Sequence, residues 1–380
     1  MAEMTRRERI MAASRKRRAD KLPFLHNWRH MQVGWAEREC RNRGMGVSWA
    51  RPSYIVKMHG VNMIETQEVT SGTQLIHRVY STPVGEVCVE EKREPGVEQW
   101  HALRSWKDVM PWQTQRAIKG PDDYKVLKYM VENTEYVADY FPMEQAKDWL
   151  GEDGVVMDFL PHSPMQELLV TWIGSDGGQF FIHHARYPNL VEELYRALVK
   201  SYEPLYDIAA KSPADIVWSG ENVDGLLINP RLFDKYYMPE YEKMAKVFHE
   251  HGKLFAVHMD GSEAILKNLI AKTPIDIIEA LHSPPMGDLP IGEALSLWKD
   301  KVVWTAFPAA VYSLDPEATR KHMLNLLREV GTGDRLVVEI STENLVSNEN
   351  MLMLTSVLEN AELPLSKETI DKIERSLELR

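Results

Sequence analysis

From about residue 154 onward the chain alternates regularly between apolar runs of strand length and amphipathic segments of helical length, which restricts the fold more than any other feature. The runs are Val155–Leu160, Asp215–Ser219, Leu254–His258, Ile275–Ala280, Val302–Ala306 and Leu336–Ile340. Between them, segments such as 190–210 place Leu190, Val191, Leu194, Leu198, Tyr202 and Leu205 on one helical face, and 231–251, 262–272, 315–330 and 348–360 behave alike. Gly252 and Gly331-Thr332-Gly333 stop helices just before strands. Strand–helix–strand units with such short links demand parallel strands, leaving a doubly wound sheet or a closed barrel. No GxGxxG follows any run, so the usual mark of a dinucleotide fold is missing. With a further strand candidate at Leu22–His26, the pattern predicts an α/β chain folded as a (β/α)8 TIM barrel, a single domain over 1–380.

The first half is less regular. Residues 73–92 read as two β-runs joined at Thr82-Pro83-Val84-Gly85, an inserted hairpin that elaborates the N-terminal part together with helices. A net charge of −11 argues against a general nucleic-acid binder, which needs a basic footprint. Two cysteines, Cys40 and Cys88, form no CxxC and no zinc cage, which fits a reducing cytoplasm. The basic start (Arg6, Arg7, Arg9, Arg15 to Arg18) is followed by Asp20, Lys21 and Pro23 rather than an apolar stretch, so it reads as a solvated helix and not as a signal peptide. No run approaches the roughly 18 apolar residues of a membrane span.

Barrels of this kind carry their chemistry at the C-terminal ends of the strands. Five polar sets fall there: Glu221 and Asn222; His258 and Asp260 in VHMDG; Glu279 and His282 in IEALHSPP; Phe307-Pro308; and Glu339, Ser341 and Glu343 in VVEISTEN. His258 and Asp260 stand two residues apart on a strand, so both can face the mouth while Met259 faces the helices. Such a pair suits a metal completed by Glu221 or Glu339, or proton transfer between imidazole and carboxylate. An Asp that caps the helix near Ser262 is the plainer alternative. Asn222 is placed to orient a substrate, with His282 and Phe307 as further candidate contacts. HExxH, GxSxG, a Walker loop and DxHxxG are all absent, and His183-His184 reads as surface. The aromatic surplus of the first half (Trp28, Trp35, Trp49, Trp100, Trp106, Trp112) reads as core.

These residues carry a resemblance. TRRERIMAASRKRRADKLPF at the start and TPVGEV at 82–87 look like parts of the uroporphyrinogen decarboxylase superfamily. So does the block 213–300, with SGENVDG, INPRLFDKYYMPEYEKMAKVFHEHGK, LFAVHMDG and IDIIEALHSPPMGDL. The resemblance covers nearly the whole chain and implies a (β/α)8 barrel. The decarboxylases' arginine motif R-x-x-x-W-x-M-R-Q-A-G-R-Y is missing: HNWRHMQVGWAERE stands at 26–39, with Arg29 as a partial stand-in. The corrinoid-dependent methyltransferase branch holds zinc through His-x-Cys and a later Cys. His258 matches that histidine, Asp260 falls at the first cysteine and ISTEN falls near the second.

The resemblance therefore implies a metal-dependent methyltransferase. It would move a methyl group from a small methoxylated or methylated compound to cobalamin on a separate corrinoid protein. His258, Glu221, Asp260 and Glu339 would hold zinc, a harder donor set suited to stabilising a departing oxygen. A carboxy-lyase with Arg29, Arg51 and Arg78 in the mouth is the first alternative, and a non-catalytic corrinoid or tetrapyrrole binder is the second. Nothing in the acidic composition opposes a homodimer.

Overall fold

The computed structural model describes residues 3–30, 34–93, 112–340 and 346–378. They divide into two compact units, one of 1–51, 141–160 and 213–380, the other of 52–140 and 161–212.

The first unit is a closed barrel of eight parallel strands. In chain order these are β1 (Phe24–Asn27), β2 (Gly46–Arg51), β3 (Gly154–Leu160), β4 (Ile216–Ser219), β5 (Leu254–His258), β6 (Ile277–His282), β7 (Val302–Ala306) and β8 (Leu336–Glu339). Each pairs with its chain-order neighbours, and β8 closes on β1 through Phe24↔Val338 and Leu25↔Glu339. The (β/α)8 architecture expected from the alternation is the one observed. Because side chains alternate across a strand, one parity fills the interior: Leu25, Val155, Met157, Ile216, Trp218, Ala256, Ile277, Trp304 and Val337. Helix Arg6–Ser14, begun by a Thr5/Glu8 capping box, adds Ile10, Met11 and Ala13 to the same core. The opposite parity packs outward on the helices, as Val47, Trp49 and Val156 do against Met143, Ala146 and Leu150.

Three expectations shift. Strand β2, GVSWAR, carries no long apolar run and went unread in the sequence. Strand β6 runs on to His282, two residues past the expected end at Ala280. The segment 262–272 holds only a short helix, Lys267–Ile270.

In the second unit, strands Asn62–Thr70, Thr73–Thr82, Gly85–Arg93 and Trp112–Gln115 form an antiparallel sheet in that order. The hairpin read at 73–92 is thus the middle of a four-stranded sheet, with Thr82 paired to Gly85 across the anticipated turn. Tyr54–Met58 pairs with Thr134–Ala138. His183, expected at the surface, is buried, with its Nδ1 3.0 Å from the Tyr124 hydroxyl. Trp35 and Trp112, expected in a core, are exposed, whereas Trp100 and Trp106 lie outside the described residues. Among the described residues no helix is long and apolar enough to cross a membrane.

Candidate active site

The C-terminal end of β5 delivers His258. Its parity, 254–256–258, is that of the interior, so the imidazole faces the barrel axis. Neighbouring β6 sets Glu279 in register with it, and His258 Nδ1 lies 2.5 Å from Glu279 Oε2. The same oxygen accepts a hydrogen bond from the indole nitrogen of Trp218 on β4 at 2.8 Å. The carboxylate is thereby fixed from two sides, and it fixes the imidazole. On the other side of the ring, Nε2 is 3.5 Å from Asp260 Oδ2. Glu279 is 3% exposed, His258 22% and Asp260 40%, so the reachable side is that of Nε2.

The electrostatics follow from this sandwich. Burial by itself lowers the pKa of His258, but the charges and hydrogen bonds of Glu279 and Asp260 outweigh it and raise the pKa well above the ordinary value. Burial pushes Asp260 up, and the hydrogen bond and charge of His258 bring it below the ordinary carboxylate value. His258 thus lies between two carboxylates that favour its protonated form.

A second imidazole joins by a different device. Glu279 and His282 are three residues apart, so an unbroken strand would turn them to opposite faces. The register of β6 on β7 shifts between Glu279 and Leu281, so Glu279 faces Trp304 and His282 faces Ala306. Trp304 and Ala306 share a face, and so do Glu279 and His282. Ala280, at the shift, takes φ +62°, a left-handed backbone that a non-glycine residue adopts only under constraint. The loop that follows packs close: a Cβ on Gly287 would come within 1.9 Å of the His282 carbonyl oxygen. Burial lowers the pKa of His282; Asp260 opposes this, His258 adds to it, and the net shift is downward. Its buried Nδ1 has no hydrogen-bond partner. One mouth thus holds a charged and a neutral imidazole, their pKa values driven apart.

Other expected residues go elsewhere. Glu221 is fully buried, its Oε1 takes a hydrogen bond from Ser219 at 3.1 Å, and its charge acts on Tyr237 and Tyr241. Ser219 and Glu221 have the parity opposite to inward-facing Trp218, so this carboxylate belongs to the helix side. Phe307 is fully buried and packs edge-on against Tyr312 and His322 at 4.9 and 5.5 Å. Glu339 keeps the interior parity of Val337 at the end of β8, and its charge acts on buried Tyr312. Asn222 is exposed in the loop after β4; there the Val223 N–H reaches the His258 carbonyl at 3.5 Å. Ser341 and Glu343 lie outside the described residues. The sequence reading missed Glu279 as the partner of His258 and the role of Trp218. The E-x-x-H spacing inside a strand was the available signal for the bulge.

Among the described residues no three His, Cys, Asp or Glu side chains are grouped to hold a metal ion. Glu221 has turned to the helices, and Nδ1 of His258 is spent on Glu279. Arg51 shares the outward parity of Trp49 and lies 4.8 Å over its ring, Arg78 is held by Glu65 and Glu91, and the Arg29 side chain lies outside the description. A concavity of about 570 Å³ near Arg9, Lys21 and Arg43 opens where β1 and β2 begin, the opposite end from His258. Its guanidinium groups are already paired with Asp20 and Glu359.

Among solved structures the chain is similar to a methyltransferase from Methanosarcina mazei, with TM-score 0.55 and 11% identity, covering 98% of this chain and 100% of that one. It also matches the spore cortex-lytic enzyme SleL of Bacillus megaterium QM B1551 at TM-score 0.29 and 9% identity over 61% and 68% of the two chains, too slight a likeness to bear on the fold. No family model and no curated protein matches the chain. At 11% identity the first likeness establishes a shared barrel fold.

Proposed function

We propose that this protein is a methyltransferase that removes a methyl group from an oxygen of a small methoxylated compound, with His258 as general acid. The observation that carries the reading is His258, clamped by Glu279 behind and reachable at Nε2, at the strand ends where barrels do their chemistry. A methoxy oxygen leaves poorly as an anion; a proton delivered as the C–O bond breaks removes that obstacle and is worth about 10²–10⁴-fold in rate. The bonding pair stays on the oxygen, which takes the proton from Nε2 and departs as an alcohol or phenol. The methyl carbon bonds to a two-electron nucleophile, for which we propose reduced cobalamin presented by a separate corrinoid protein. Asp260 holds the imidazolium in place before transfer. His282, on the same face of β6 as Glu279, is placed to contact the substrate beside the methoxy group. The shared fold with a methyltransferase supports the choice of reaction class.

The test is turnover of the purified chain with a panel of methoxylated aromatics and reduced cobalamin, following methylcobalamin by its spectrum and the demethylated product by chromatography. Methyl transfer by the wild type that is lost in His258→Gln is the expected result. Carbon dioxide release without methyl transfer would replace this reading with the lyase.

A further inference from the structure

The loops that follow β4 and β5 are pinned to each other just beyond Asp260. Asp224 lies in the first of them. Its Oδ1 accepts the Leu226 N–H of its own loop at 2.9 Å and the Ser262 N–H of the next loop at 3.2 Å. In return, the Gly225 N–H donates to the Ser262 carbonyl oxygen at 3.0 Å. Asp224 is itself held, because its carbonyl oxygen accepts from Leu227 and Ile228 at 3.0 and 2.7 Å, and Val223 and Ile228 are fully buried.

Glycine permits this close approach on both sides. A Cβ on Gly261 would meet Cβ, Cγ and Cα of Asp224 at 2.5, 2.6 and 2.7 Å. One on Gly225 would come within 2.4 Å of the Ser262 carbonyl oxygen. The Asp-Gly pairs of ENVDG and HMDG thus meet backbone to backbone, where any side chain would push the loops apart.

Asp260 stands between two fixed points. Before it, the Met259 N–H extends the ladder to β6 by donating to the Glu279 carbonyl oxygen at 2.8 Å. After it, the Gly261 N–H is taken by Glu263 Oε1 at 3.1 Å and the Ser262 N–H by Asp224. The Asp260 carboxylate lies 3.5 Å from His258 Nε2 on a side chain that is 40% exposed. At that exposure packing alone does not fix it, and its aim depends on the backbone that carries it.

We propose that Asp224 is a positioning residue: it fixes the Gly261–Ser262 backbone and so keeps the Asp260 carboxylate beside His258 Nε2. This rests on the roles given to His258 and Asp260 under the proposed function. The work is done by an acceptor oxygen in the right place and not by the negative charge, and substitution can separate the two. Asparagine offers the same oxygen without the charge. Glutamate carries the charge on a longer arm that cannot make the same pair of bonds.

The experiment measures two things on the full chain. In the methyl-transfer assay, Asp224→Ala should lower kcat by about ten- to hundredfold with KM little changed, and Asp224→Asn should restore most of the loss. Asp224→Glu should behave as alanine does, and stands in for it if the alanine variant unfolds. In an Asp260→Ala background the same substitutions should cost far less, because their effect passes through Asp260. The second measurement is the NMR shift of the His258 ring nitrogens in the substrate-free protein at one pH. Alanine or glutamate at 224 should move it toward its value in Asp260→Ala, while asparagine leaves it near the wild type. An asparagine variant as impaired as alanine would place the effect in the charge and overturn the proposal. So would a ring shift unmoved by alanine and glutamate, or an undiminished loss in the Asp260→Ala background. A wild type that transfers no methyl group fails the reading of the reaction, and the ring shifts still decide the role of Asp224.

Discussion

At the scale of single residues, the site is a question of where protons sit. The pKa of His258 is raised in the fold, so its pairing stabilises the protein fully below the unfolded value of about 6.5. That contribution is lost as pH rises through the folded value. Its acid form is likewise the one lost at high pH. Glu279→Gln removes the neighbouring charge, so we predict that the alkaline limb of the kcat/KM profile moves to lower pH. An unmoved limb would assign that ionisation to another group. Glu263 provides a separate test. It is fully buried, and burial, opposed by the Gly261 N–H and reinforced by Asp260, Asp224 and Asp288, pushes its carboxyl up to about 8. Between pH 4.5 and about 8 the unfolded chain ionises this group while the native one keeps its proton, so stability falls with rising pH. Glu263→Gln should remove that slope and raise the unfolding free energy at pH 8 more than at pH 5, by an amount on the order of a few kcal/mol. Equal shifts at both pH values would contradict it.

At the scale of elements, the decisive feature is the irregularity in β6. Strands β4, β5, β7 and β8 were legible because buried parallel strands read as apolar runs. Strand β6 was legible up to Ala280, where the bulge breaks the period and hides that His282 and Glu279 share a face. Strand β2 escaped because its inward positions, Ser48 and Ala50, are small. Glu221 was misplaced for a related reason: it lies just past β4, and only the observed parity of Trp218 shows that its side chain leaves the interior. The φ of +62° at Ala280 makes a prediction about the bulge itself. Ala280→Gly should keep activity and stability within about 1 kcal/mol of the wild type. Ala280→Val, β-branched in a left-handed backbone, should destabilise by about 1–2 kcal/mol in urea unfolding. A valine variant as stable as the wild type would show that the bulge is not held as described.

At the scale of the whole molecule, the alternation of strands and helices was enough to predict the barrel, because it leaves few other solutions. The site was only half legible: VHMDG pointed to His258 and Asp260, but the partner that sets the charge of His258 comes from another strand. Register, which brings His258 beside Glu279, is a property of the closed sheet and not of any one segment. The account of function rests on that closure producing a protonated acid. The direct test is an NMR titration of the His258 ring in the intact protein, assigned by its loss in His258→Gln. The account predicts a ring that titrates well above the ordinary histidine value of about 6.5 and moves to lower pH in Glu279→Gln. A wild-type ring that titrates at or below 6.5 would contradict it.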